Sequence, residues 1–222
     1  MAKQMNCAFV KAKFDFLVHD IRRVSAINEI NSEWNYSRNI VDKVNLSHAS
    51  NAFSNIQQEL FFSQIVGVAR IWDKTSTDRC SLIAVVDAAR NVNFQKEFVK
   101  SELPSFHNRN IFPEVEARWN ELESIYKEIQ LPNLVEKRHR LRNFRDEYLA
   151  HRLLLSQTSQ DEPVRSCVRY GDEVDLFNVA KDLTERLSRV ITDGWVNFES
   201  HRQIHSLEAK AFSRAVSFQS RK

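Results

Sequence analysis

The segment from Leu131 to Leu155 reads LPNLVEKRHRLRNFRDEYLAHRLLL, and its spacing decides the fold class. Leu141, Phe144, Tyr148, His151 and Leu155 step by three and four residues, the interval that places side chains on one face of an α-helix. Arg138, Arg142, Arg145, Leu149 and Arg152 repeat that interval on a second stripe, turned by roughly 100° from the first. His151 therefore sits on the core-facing seam beside a row of arginines. Arg138 and Arg142 are like charges four residues apart, an arrangement that costs about a few tenths of a kcal/mol unless something anionic meets them.

The same periodicity extends outward. Val10, Phe14, Leu17, Ile21, Val24 and Ile27 predict a helix over residues 6–34. Asn45 and Ser47 offer caps before a second helix carrying Ala49, Phe53, Ile56, Leu60, Ile65, Ala69 and Trp72. A shorter helix is predicted from Ser81 to Asn91, and another begins at Pro113 and runs to about Gln130. Asp172 is read as the cap of a last long helix reaching Trp195, with a bend at Gly194. Residues 92–112 read as an irregular connection, 156–170 as a polar loop, and Val164 to Tyr170 as a short strand. Only 3 glycines and 4 prolines occur in 222 residues, too few for the many turns of a sheet-rich fold. The expectation is an all-α protein, an antiparallel helical bundle. One domain over residues 1–200 is followed by a basic tail or helix extension over 201–222.

Net charge is +3, too small to imply nucleic acid by itself. Its distribution is more informative. Between Leu131 and Arg152, Lys137, Arg138, Arg140, Arg142, Arg145 and Arg152 face only Glu136, Asp146 and Glu147. The segment from His201 onward is a second basic zone, so the rest of the chain is net acidic. The 3 cysteines lie far apart without CxxC or Cys/His spacing, so neither a disulfide framework nor a zinc site is expected. No signal peptide or membrane-length apolar run is evident, and a cytoplasmic location is expected. GxSxG, HExxH and Gly-rich phosphate loops do not occur. His201 and His205 share a face but lack a third ligand, so no metal and no cofactor is expected.

The motif helix suits one chemistry. RNA cleavage by its own 2′-hydroxyl needs a general base, a general acid and positive charge on the phosphorane, and it needs no metal. Histidine suits the first two roles near neutral pH. Arginine suits the third, because its planar fork grips phosphate oxygens. One helix supplies one histidine, so two such helices at a dimer axis would supply the pair. The same residues also fit a structural use, with His151 hydrogen-bonded in the interior and Arg142 reaching Asp146, or Glu147 reaching His151, at i,i+4.

The stretch Arg145-Asp146-Glu147-Tyr148-Leu149-Ala150-His151 resembles the HEPN signature, an arginine followed, after four to six intervening residues, by a histidine, often with a polar residue directly after the arginine. Of the 7 histidines only His151 has an arginine at that distance before it. Ala26 to Asn31, Ala69 to Lys74 with Ser81 to Ile83, and Leu141 to Arg152 resemble, in that order, the AbiU-like abortive-infection branch. The resemblance implies a helical bundle dimerising through the motif helix, and a metal-independent endoribonuclease acting in phage defence or as a toxin. Arg145 and His151 become the catalytic pair, Asp146 takes the polar position, and Arg142 and Arg152 hold RNA. RNA, a second copy of the chain and an antitoxin protein are the implied partners, with no membrane. One departure stands out: where many such toxins carry a tyrosine two residues after the histidine, this chain has Leu153, which argues against antitoxin modification there. The rival expectation is a non-catalytic helical dimerisation or interaction protein.

Overall fold

The computed structural model describes residues 6–36, 38–45, 47–74, 80–102, 112–154, 169, 171–192 and 194–216; the side chains of 35, 36, 38, 39, 102, 112 and 148–154 lie outside that description. The described residues form helices and no strand: α1 (Cys7–Tyr36), α2 (Arg38–Asn45), α3 (Ser50–Ile71), α4 (Leu82–Ala89), α5 (Val92–Glu102), α6 (Phe112–Ile129), α7 (Pro132–Leu154), α8 (Asp172–Ile191) and α9 (Phe198–Ala215). The strand expected over Val164 to Tyr170 falls almost wholly outside the described residues.

The apolar stripe of α1 makes this helix a spine. Val10, Phe14, Leu17, Ile21 and Val24 are all buried, and α1 packs against α2, α3, α4, α5, α8 and α9. The second centre is α8, whose Leu176, Phe177, Ala180, Leu183, Leu187, Val190 and Ile191 are buried against α1, α3, α4, α6 and α7. Burying each large aliphatic or aromatic side chain stabilises the bundle by about 1.5–3 kcal/mol before entropy is counted. Polar ties set the register. Asn31 donates to Gln64 Oε1 at 2.8 Å, and Gln64 donates to Asn28 Oδ1 at 2.9 Å, joining α1 to α3.

Three details differ from the sequence reading. Residues 38–45 and 92–102, expected to be irregular or unassigned, are helices. Ile40 and Val44 bury one short face, and Phe94 and Phe98 the other, the latter two set edge-on against Trp119. Helices this short are marginal alone and depend on such packing. The last long helix is two. The Thr192 backbone leaves helical geometry, and Asn197 caps a restart by accepting from the N–H groups of Glu199 and Ser200. Trp195, expected in the apolar stripe, is therefore 64% exposed. Gly171, at φ 94°, rather than Asp172, occupies the cap position of α8, and Asp172 lies inside the first turn. That backbone geometry is one that glycine adopts without steric cost. Residues 201–215 lie within α9, which packs along α1.

Gly67 marks the closest approach of α3 to α1. A Cβ there would stand 2.6 Å from Val24 Cγ2, and Val24 is buried and β-branched, with little freedom to turn. Gly67→Ala should therefore destabilise the fold by about 1–3 kcal/mol through overpacking, despite the roughly 1 kcal/mol that alanine gains within a helix. Denaturant unfolding of Gly67→Ala, Val24→Ala and the double variant checks this. The double variant should be more stable than the sum of the two losses predicts.

Candidate active site on the seventh helix

Two residues at the end of α3 organise the motif face of α7. Trp72 is buried, and its indole N–H donates to the Leu176 carbonyl of α8 at 3.1 Å. Asp73 follows, also buried. Its backbone carbonyl accepts from the Ser81 hydroxyl at 3.0 Å, and the same hydroxyl accepts the Ala84 N–H to cap α4. Its carboxylate accepts from Arg145 Nη1 at 2.7 Å.

Arg145 is gripped on two sides. Its Nε also donates to Asp146 Oδ1 at 2.9 Å, and only 14% of its side chain is exposed. Burial works against its charge, but the bonds to Asp73 and Asp146 outweigh burial and raise its pKa. Arg142 reaches over the same helix end, with Nη2 at 3.4 Å from the Trp72 carbonyl and Nε at 4.0 Å from Asp73. The i,i+4 bond from Arg142 to Asp146 that the spacing allows is not the one formed: Asp146 pairs with its neighbour Arg145 instead. Asp73 accounts for the change, because a buried carboxylate draws both arginines towards the end of α3.

The third arginine of the row behaves differently. Arg138 is buried, its guanidinium carbon 5.3 Å from the centre of the Trp72 ring. Burial, then the proximity of Arg142, lowers its pKa. Two more basic residues of α7 look to α8. Arg140 forms a fork with Asp172, at 2.7 Å through Nε and 2.9 Å through Nη2, and also meets Glu136; Lys137 pairs with Asp175.

Of the residues singled out by sequence, Arg142, Arg145 and Asp146 are brought together around Asp73. His151 and Arg152 lie on the same helix, but their side chains are outside the described residues. Asp73, Trp72 and Arg138 were not singled out as site residues. One signal did exist: an arginine row with too few acids within a helical turn asks for a carboxylate from another element. Among the described residues no group of three or more His, Cys, Asp or Glu is placed to hold a metal ion. No helix among them is long and apolar enough to cross a membrane.

An all-helical bundle that carries its arginine–histidine motif on one long helix has the features of the HEPN class. The chain belongs to the HEPN_AbiU2 family, described as AbiU2, whose model matches residues 10–212. No curated protein and no solved structure matches it.

Two outcomes follow from the ion pairs. Asp73→Ala leaves the largely enclosed Arg145 with only the exposed Asp146 as partner and removes a contact of Arg142, so unfolding in urea should show a loss of about 3 kcal/mol. Asp172 is held below its ordinary value of 3.8, first by the hydrogen bond from Arg140. A depressed folded pKa means that the stabilisation is complete above the ordinary value and is lost as pH falls through the folded one. The stability difference between wild type and Asp172→Asn should therefore be largest above about pH 5 and shrink as acid is added. A difference that stays constant down to strongly acidic pH would show that this pair does not couple α7 to α8.

Proposed function

We propose that this chain is a metal-independent endoribonuclease of the HEPN type, acting in the cytoplasm in phage defence by abortive infection or as a toxin. RNA is its substrate, and a homodimer formed through α7 is its working form. An antitoxin protein is a further partner this reading allows. The observation that carries the reading is the placing of Arg145 and His151 six residues apart on one helix of a member of this family.

In this mechanism the 2′-hydroxyl oxygen attacks the adjacent phosphorus, and the bond from phosphorus to the 5′-oxygen breaks. His151 takes the proton from the 2′-oxygen, and the second histidine of the dimer delivers one to the departing 5′-oxygen. Arg145 meets the negative charge that builds on the phosphorane oxygens. Its bonds to Asp73 and Asp146 hold the guanidinium plane in place without using all five of its N–H groups. Arg142 and Arg152 hold the RNA backbone through contacts that weaken with salt. Preorganisation by fixed carboxylates is the kind of support a charge-stabilising arginine needs.

One observation favours a second reading. Arg145 is largely enclosed and paired with two carboxylates, which is also how a purely structural arginine is held. On that reading the chain is a non-catalytic helical dimerisation or interaction protein, and its basic zones dock an acidic partner.

Cleavage of a mixed RNA pool in EDTA separates the two. Wild type should cut and leave 2′,3′-cyclic phosphate ends, and His151→Ala should cut at least about a hundredfold more slowly with its oligomeric state unchanged. Equal rates for the two proteins would remove the mechanism, and a folded wild type that leaves every RNA intact would favour the interaction protein.

A further inference from the structure

The arginine row contains an imbalance that the motif does not use. Each of Arg90, Arg140, Arg145 and Arg186 is matched to carboxylates: Glu123, Asp172 with Glu136, Asp73 with Asp146, and Glu121 with Glu128. Arg138 departs from that pattern. It is only 8% exposed, forms no ion pair among the described residues, and leaves its buried Nη1 without a hydrogen-bond partner. The Trp72 ring meets its charge in part, but a ring face does not satisfy the in-plane N–H donors. Arg142, four residues on along the same helix, is a second cation that opposes its charge. A buried, unsatisfied cation beside a second cation is unfavourable unless an anion completes the set.

Arg138 lines a cleft of about 150 Å³ together with Lys74, Gln130, His139 and Arg142, over two aliphatic side chains. Among the described residues no acidic one lines it. Its volume is well below the roughly 300 Å³ at which pockets begin to enclose whole drug-sized ligands, so it suits one phosphate group with the attached nucleosides outside. Its position is equally specific. Arg142 lies on α7 one helical turn before Arg145, and the rise of an α-helix puts it roughly 13 Å from His151 along the axis. An RNA strand with one phosphate at the motif can reach the cleft with another phosphate a few nucleotides along.

We propose that the cleft formed by Lys74, Arg138, His139 and Arg142 is a phosphodiester-binding subsite that holds the RNA backbone to one side of the scissile bond. This rests on the ribonuclease reading for its substrate, but the binding itself is independent of cleavage. Arg138 supplies a fixed charge at the base of the cleft, Arg142 a charge at its edge towards the motif, and Lys74 an exposed charge at the rim. His139 adds a ring N–H donor. Such contacts grip the backbone without reading sequence.

The test is binding of a fluorescein-labelled, fully 2′-O-methylated oligoribonucleotide to the full chain, followed by anisotropy across a salt series. The methyl group removes the attacking hydroxyl, so binding is read without cleavage. Lys74→Ala and Arg142→Gln should each weaken binding about three- to tenfold and reduce the salt slope by about one. Arg138→Met should weaken binding while raising Tm, because it removes an unsatisfied buried charge. If Arg138→Met fails to fold, the other two variants decide. No binding by wild type, or binding and salt slope unchanged in both Lys74→Ala and Arg142→Gln, overturns the subsite. Cleavage of unmodified RNA is measured in parallel. Cleft-dependent binding without cleavage would sink only the ribonuclease reading, and cleavage with cleft-independent binding would sink only the subsite.

Discussion

At the end of α3, two consecutive residues tie down three other helices, and the motif face depends on them. Trp72 fills the space between α3 and α8, donates to a carbonyl of α8, and lies under Arg138 of α7. Asp73 gives its carbonyl to the serine that caps α4 and its carboxylate to Arg145 of α7. A buried carboxylate is costly unless it is both hydrogen-bonded and charge-matched. Here the cost is offset by an arginine that the motif places opposite it. The same interaction that makes the end of α3 tolerable therefore fixes the orientation of Arg145.

That arrangement explains why so basic a helix can be built into a bundle. The charges of α7 are divided between neighbours. Lys137 and Arg140 reach α8, where Asp172 and Asp175 stand in the first turn, near the positive end of that helix's dipole. Arg142 and Arg145 reach α3. Apolar contacts fill the gaps, with Leu141 in the core and Phe144 stacked on Phe62 at 5.8 Å. Elsewhere the bundle uses the same device, Arg186 of α8 bridging Glu121 and Glu128 of α6. Arg138 departs from it, and the departure sits beside the motif.

Much of the helical layout was legible because long amphipathic stripes carry redundant information. The stripe of α1 from Val10 to Val24 is buried as its period requires, and α6 and α7 each begin beside a proline suited to a first turn. The short helices were harder to read. Ile40 with Val44, or Phe94 with Phe98, is only one repeat of the period, and one repeat does not separate a helix from a connection. Trp195 was misread for a related reason. Its apolar character continues the pattern of α8, but Thr192 ends the helix by turning the backbone to an extended geometry, with its hydroxyl accepting the Gly194 N–H.

By itself the sequence determined the all-helical class, the motif helix with Arg145 and His151 on it, and the family resemblance. Each of these rests on residues within a few helical turns of one another, where spacing fixes geometry. Only the tertiary structure decided which charges meet. Asp73 lies 72 residues from Arg145, and no local rule links them; with that partner supplied, Asp146 is left to Arg145 rather than to Arg142. Nor could spacing reveal that Arg138, one place along the same row, would be enclosed against Trp72 without a carboxylate. Ion pairing between distant segments depends on which helix ends are brought together and how far each is desolvated, and that is set by the packing of the whole core.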